Sequence, residues 1–239
     1  MNTIKINKYN AKLIAHRGLS GLECENTCAA FIAAGNRDYF GIETDIHITA
    51  DGNFAVIHDG KTGRVSPTDI PVESNTFDVL REVQLFDKDN IAKPHLRIPS
   101  LEEYVKLCAK YEKKCVLELK TRFSQEEIAS IFDICLANTT LENMIFISFE
   151  FENLVRMREH SKEASIQFLY ARELSDKIIE KVKPYGFDLD LAHAQITKEM
   201  IDNLHAEGIK VNCWTVDDPE RAEQLAEWGV DYITTNILQ

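Results

Sequence analysis

The chain has 239 residues, 44% of them hydrophobic and 28% charged with no low-complexity tract, which suits a folded protein with a sizeable core and excludes a disordered one. Its formal charge of −12 argues against nucleic acid and anionic membrane surfaces, both of which recruit Lys and Arg. Cys24, Cys28, Cys108, Cys115, Cys135 and Cys213 lie in apolar segments with no Cys-x-x-Cys pair. The N-terminal MNTIKINKYNAKLIAHRG has no apolar run of the ~7–15 residues of a signal peptide and nothing downstream approaches the ~20 of a membrane span, so a cytoplasmic protein with buried thiols is expected.

In chain order, LIAHRG (13–18) reads as a strand ending in charge, and ENTCAAFIAAGN (25–36) as a helix that Asn26 or Thr27 can cap and Gly35 can end. Cys24 and Cys28, four apart, suit helix packing better than a ligand pair. YFGIETDIHI and FAVIHD flank Asp51-Gly52, a dipeptide favoured in tight turns. Residues 60–97, with Pro67, Pro71 and Pro94 and few periodic apolar positions, read as an insertion. IPSLEEYVKLCAKY then supplies a helix capped by Ser100, with Glu103 at the capping-box position, and KCVLELK (114–120) a strand.

Five further pairs follow: helix 124–137 and MIFISF, 151–160 and SIQFLYA, 173–183 and GFDLDLA, 197–206 and KVNCWTV, 218–227 and YITTN. With 54–59 counted in the second strand unit, eight strands alternate with helices, and no eighth helix of normal length follows the last. The pattern predicts an α/β fold, a (β/α)8 TIM barrel in one domain over 1–239 with an inserted segment at about 60–97, rather than an open doubly wound sheet.

In such barrels chemistry gathers at the C-terminal ends of the strands. There the sequence puts His16 and Arg17, Glu43 and Asp45, His58, Glu118 and Lys120, and Trp214. Strand alternation sends Glu43, Asp45 and His47 to one side, and the residues around them are too apolar for a solvated edge. Carboxylates crowded in a barrel mouth repel unless a cation sits between them, and an oxygen-only set from Glu43, Asp45 and Glu118 suits Mg²⁺ or Ca²⁺ better than Zn²⁺. His47, one pleat nearer the turn, is expected to serve structure rather than the site.

The series HRG (16–18), ENT (25–27), ETD (43–45), DG (51–52), HD (58–59), IPSLEE (98–103), ELK (118–120) and WTVDD (214–218) resembles the glycerophosphodiester phosphodiesterase family, in the family's order and over nearly the whole chain. The resemblance implies a (β/α)8 barrel with a small insertion, dependence on one divalent cation, and hydrolysis of deacylated phospholipids such as glycerophosphocholine or glycerophosphoethanolamine to glycerol 3-phosphate and an alcohol. It implies His16 and His58 as the acid–base pair, Glu43, Asp45 and Glu118 as metal ligands, and Arg17 and Lys120 as phosphate-binding cations. One imidazole would activate water or the glycerol 2-hydroxyl and the other protonate the departing alcohol. Lys120 could instead form a salt bridge with Glu118; Trp214 packs over the glycerol or alcohol moiety or serves as a core or rim aromatic, and Glu25 orients His16 or Arg17.

Two departures stand out: ITTN puts Asn236 where the family usually has Asp, and GKTGRVS after His58-Asp59 is atypical. The expected partner is a small phosphodiester, with no stable membrane insertion, and the protein a monomer or homodimer. Competing readings are a phospholipase acting on intact lipid, for which the acidic chain shows no apolar or basic rim, and a silent protein that binds a phosphodiester or metal without turnover.

Overall fold

A computed structural model describes residues 2–239. In chain order the elements are β1 (Lys12–Ala15), α1 (Cys28–Gly35), β2 (Gly41–Ile48), β3 (Phe54–Val56), α2 (Phe77–Arg81), β4 (Leu85–Phe86), β5 (Ala92–Lys93), α3 (Leu101–Lys110), β6 (Lys114–Leu119), α4 (Gln125–Leu136), β7 (Met144–Ser148), α5 (Phe151–His160), β8 (Ser165–Tyr170), α6 (Asp176–Val182), β9 (Asp188–Ala192), α7 (Lys198–Ala206), β10 (Val211–Trp214), α8 (Pro219–Glu227) and β11 (Tyr232–Thr235).

Eight of these strands, β1, β2 and β6 to β11, pair in parallel in sequence order. The sheet closes where β1 meets β11 with Ile14 opposite Thr234. This is the expected (β/α)8 barrel. The 54–59 run belongs, as read from sequence, to the second strand unit: β3 folds back antiparallel on β2 with Ile46 opposite Val56, through the Asp51-Gly52 turn with Gly52 at φ +77°. Parallel strands covered on both faces read as near-continuous apolar runs. Leu13, Ile42, Leu117, Phe146 and Ile233 face the helices, while Ile14, Val116, Ile145, Leu169 and Tyr232 fill the lumen. Period-two alternation therefore sends His16, Glu43, Asp45, Glu118, Asp190 and Trp214 to the lumen side of their strands, above that apolar plug.

Helix starts follow local capping chemistry. Ser100 and Ser124 each form a complete capping box, with Glu103 and Glu127, and Asp218 caps α8 ahead of Pro219. The first helix is shorter than its sequence suggests: Thr27 is its cap and α1 begins at Cys28, because Asn26 turns to φ +53° and spends its side chain elsewhere. Gly35 is the last residue of α1, as read from sequence, with Asn36 as the C-cap. Its lack of a side chain serves packing, because a Cβ there would lie 2.5 Å from Cγ of Tyr111.

Residues 60–97 hold α2 and the small β4–β5 sheet, with a cluster of their own in which Val72, Leu80, Val83, Leu85 and Leu96 pack on Ala55, Ile57 and Cys24. The segment follows the C-terminal extension of β2, so it stands over the mouth of the barrel.

In an ordinary helix interior, Gly→Ala gains about 1 kcal/mol. Gly35→Ala should instead destabilise the protein by about 1–3 kcal/mol through overpacking against Tyr111, read from urea unfolding. A variant as stable as the parent would show that the Tyr111 ring moves aside freely.

Candidate active site

The site is built around β2. Glu43, Asp45 and, from β6, Glu118 are all buried, and one oxygen from each lies within 4.8 Å of the others. Asp45 opposes Glu118 in the β2–β6 register, which is why carboxylates 73 residues apart meet. Arg17 enters from the end of β1 in the left-handed region, φ +54°, an uncommon conformation for a residue with a side chain. Gly18, at φ +76°, follows it where a Cβ would lie 2.7 Å from the Ala30 backbone, so the chain can turn this tightly only without one. The turn lets Arg17 N donate to Glu43 Oε2 (2.8 Å) and sets its Nε 3.5 Å from Asp45 Oδ2.

Lys120 supplies the second cation, 2.8 Å from Glu118 and 3.5 Å from Asp45 Oδ1. Asn26 Nδ2 donates to Asp45 Oδ2 (2.8 Å) while its own Oδ1 accepts from Thr44. These contacts split the three acids. Burial, then the neighbouring Asp45 charge, raises Glu43 well above the usual carboxylate range and Glu118 to about 8. Burial would raise Asp45 too, but Lys120 and Arg17 outweigh it and lower this group. Asp45 Oδ1 is buried with no hydrogen-bond partner. An oxygen-only trio with one orphaned lone-pair site fits a hard divalent cation, and those three residues could hold it.

The two histidines lie on the same cleft, each tied at Nδ1. His16 Nδ1 is 2.8 Å from Asn236 Oδ1, and Asn236 Nδ2 donates to Asp217 Oδ2 (2.6 Å), which turns the amide oxygen to the ring. His58 Nδ1 is 2.6 Å from Asp59 Oδ1. Each Nε2 is left without a protein partner among the described residues. Both pKa values fall, by burial first, with the Arg17 charge lowering His16 further. His47 faces away, its Nε2 donating to the His58 carbonyl (3.0 Å) and its Nδ1 against Glu73 (3.1 Å). It holds the backbone of a site residue and does not enter the cleft.

Glu25 touches Arg17 (2.9 Å), not His16. It also takes a bidentate pair from Arg64 (2.7 and 2.8 Å), whose Nε reaches Asp59 (2.5 Å). Trp214 lines the cleft, its ring edge-on to Phe149 at 5.6 Å, with Nε1 donating to the Asp190 carbonyl (3.3 Å). His16, Arg17, Glu43, His58, Glu118, Lys120 and Trp214 thus line one cleft of about 430 Å³, counting the space at its open mouth, and Asp45 and Glu25 hold Arg17 from behind.

The model of the glycerophosphoryl diester phosphodiesterase family matches residues 16–238. The chain belongs to this family. As a member it is an enzyme, a phosphodiesterase acting on glycerophosphodiesters. The Bacillus subtilis protein YhdW is 30% identical over 94% of this chain and 93% of its own length. A glycerophosphodiester phosphodiesterase of Caldanaerobacter subterraneus is 27% identical over 94% and 93%. The fold is that of an Oleispira antarctica phosphodiesterase, solved with the product sn-glycerol 3-phosphate: TM-score 0.87, 22% identity, 97% of this chain and 95% of that one.

Sequence reasoning missed several residues of this phosphodiesterase's site. Asn236 and Asp217 form the support behind His16; the sequence marked Asn236 only as a lost charge in ITTN and Asp217 only as part of WTVDD, with no role for either. Arg64 comes from the atypical GKTGRVS segment, which thus reaches the site. Asn26 was visible only as a helix cap and as part of ENT, with no link to Asp45, and Asp190 only as an acid within a strand.

Glu118 is raised from its ordinary 4.5 to about 8, so the stability it contributes is full below about pH 4.5 and is lost as pH rises through about 8. Chelator-treated enzyme should melt at lower temperature as pH climbs from 5 to 8, and Mg²⁺ or Ca²⁺ should restore most at the upper end. Melting curves that the ion shifts equally at all pH values would contradict this account.

Proposed function

We propose that the enzyme hydrolyses small glycerophosphodiesters, such as glycerophosphocholine or glycerophosphoethanolamine, to glycerol 3-phosphate and an alcohol, with His16 and His58 exchanging the protons. The observation that carries this reading is the pair of imidazoles with tied Nδ1 and unpartnered Nε2, bordering one carboxylate trio flanked by Arg17 and Lys120. Glu43, Asp45 and Glu118 would hold one Mg²⁺ or Ca²⁺, which when bound supplies charge withdrawal from the non-bridging phosphoryl oxygens.

Arg17 and Lys120 bind and orient the phosphoryl group and screen charge that would repel a nucleophile. His16, backed by a neutral amide and beside the Arg17 charge, favours the unprotonated state at neutral pH and is assigned as base. Its Nε2 takes the proton from the attacking oxygen, that of water or of the glycerol 2-hydroxyl. His58, backed by the Asp59 carboxylate, is better suited to carry a proton and is assigned as acid. As the new P–O bond forms, the bond to the departing alcohol breaks, and that oxygen takes the proton from His58 Nε2. If the 2-hydroxyl attacks, a cyclic phosphate forms and water opens it with the two roles exchanged. Trp214 and the half-exposed Phe149 form an aromatic corner at the mouth for the organic arms.

A cytoplasmic setting belongs to this reading. It is supported by six free cysteines, five of them buried, which suit a reducing compartment. In addition, no helix among the described residues is long and apolar enough to cross a membrane.

Glycerol 3-phosphate release should require an added divalent ion and fall about 10²–10⁴-fold in His16→Ala and in His58→Ala. Folded, ion-loaded protein that releases nothing from either diester would end the proposal. Asn236→Leu, which leaves the cleft lining intact but frees the His16 ring, should lower kcat more than it raises KM. An effect confined to KM would remove the positioning role.

A further inference from the structure

The lumen side of β8, β10 and β11 carries a short polar chain, in which Asn212 Nδ2 donates to Gln167 Oε1 (2.9 Å) and Thr234 Oγ1 to Asn212 Oδ1 (3.2 Å). Asp190 of β9 stands in register between Asn212 and Leu169, and takes no part in that chain. Its residue exposure is 1%, its Oδ1 has no hydrogen-bond partner among the described residues, and it nonetheless lines the cleft. Nothing in the proton exchange described above uses it.

Leaving a buried carboxyl unpaired is costly, so a folded protein that keeps one needs a partner that arrives later. Burial, reinforced by the Glu118 charge, pushes its pKa well above the carboxylate range. Burial with no cation beside it favours the neutral carboxylic acid, which has one O–H to donate and lone pairs to accept, the arrangement for pairing with an uncharged hydroxyl rather than a cation. Its surroundings agree. The charged groups of the cleft lie toward β1, β2 and β6, whereas Asp190 sits among Ile147, Leu169 and Trp214, the indole pinned by its bond to the Asp190 carbonyl. A short polyol arm matches this half: its C–H edges meet apolar walls and a hydroxyl meets the acid.

We propose that Asp190 is a specificity-determining residue that hydrogen-bonds a free hydroxyl of the glycerol arm of the substrate. The assignment rests on the glycerophosphodiester reading above. The glycerol arm is the constant part of such diesters and suits the enclosed lumen side, leaving the variable alcohol toward the mouth. A trapped water could also satisfy Oδ1, but it would not distinguish ligands by their hydroxyls.

The test is calorimetric titration of ion-loaded protein with sn-glycerol 3-phosphate and with n-propyl phosphate, which has the same carbon chain without hydroxyls. The parent should prefer glycerol 3-phosphate by at least about tenfold, since sites built to pair a hydroxyl reject analogues lacking it. Asp190→Leu, checked for folding by its melting curve, should bind the two ligands within about twofold of each other, whereas Asp190→Asn, which keeps a donor in the same shape, should retain most of the preference. Should the Leu variant not fold, Asp190→Ala is read in the same way. A parent without preference, or an Asp190→Leu protein with the parent's ratio, overturns the assignment. Hydrolysis of glycerophosphoethanolamine by the parent is measured alongside: its absence overturns the glycerophosphodiester reading, and its presence with an unchanged ratio overturns Asp190 alone.

Discussion

Three carboxyl groups in one buried space are the constraint around which the rest of this barrel is arranged. With oxygens within 4.8 Å, each ionised pair would repel by about 3 kcal/mol or more even at an effective dielectric of ~20. Such a cost is comparable with a large part of a domain's net stability, which is about 5–15 kcal/mol. The chain meets it with two cations at the mouth, one on the left-handed turn after β1 and one at the end of β6, and by leaving two of the three acids with raised pKa values. Asn26 lies outside the helix for the same reason: its amide donates to Asp45 while its own oxygen accepts from Thr44.

The two histidines differ in what stands behind them, and the difference gives them direction. An anionic partner stabilises an imidazolium, whereas an amide fixes the ring without that stabilisation. Asp59 therefore favours a proton on His58, while Asn236 leaves His16 closer to a free base. Asp217 adds the missing restraint. By accepting from both the side chain and the backbone N–H of Asn236, it keeps the amide from flipping its NH₂ toward His16. The charge that ITTN lacks at Asn236 is thus present one residue farther from the ring.

The barrel was legible in the sequence because parallel strands buried on both faces leave apolar runs that survive any detail of loop structure, as in IFIS and KCVLEL. The carboxylate trio was legible because alternation within β2 and the polar ends of β1 and β6 fix where side chains point. Gly35 was legible as the end of α1, but only the approach of Tyr111 shows that absence of a Cβ is the requirement there. Glu25 could be assigned to Arg17 or His16 equally well until the turn at Arg17 decided it. Asp217, Arg64 and Asp190 escaped because their significance lies in tertiary partners, or in the lack of one, which no local pattern encodes.

The net charge and the substrate pull in opposite directions, and the insertion reconciles them. The phosphoryl anion of a diester is repelled by a protein of charge −12, although the cationic arm of glycerophosphocholine or glycerophosphoethanolamine leaves the whole molecule neutral and physiological salt screens charges beyond about 8 Å. What matters is therefore the local field, and Arg17, Lys120, Arg64 and Lys88 all gather around the mouth. The last two come from residues 60–97. Arg64 is itself neutralised by Glu25 and Asp59, so its contribution is less attraction than rigidity: one guanidinium ties the carboxylate that holds Arg17 to the carboxylate that holds His58. A flexible segment could not keep two such supports in register. The separate apolar cluster of Val72, Leu80 and Leu85 packed on Ala55 and Ile57 is what makes the inserted chain stiff enough to do so.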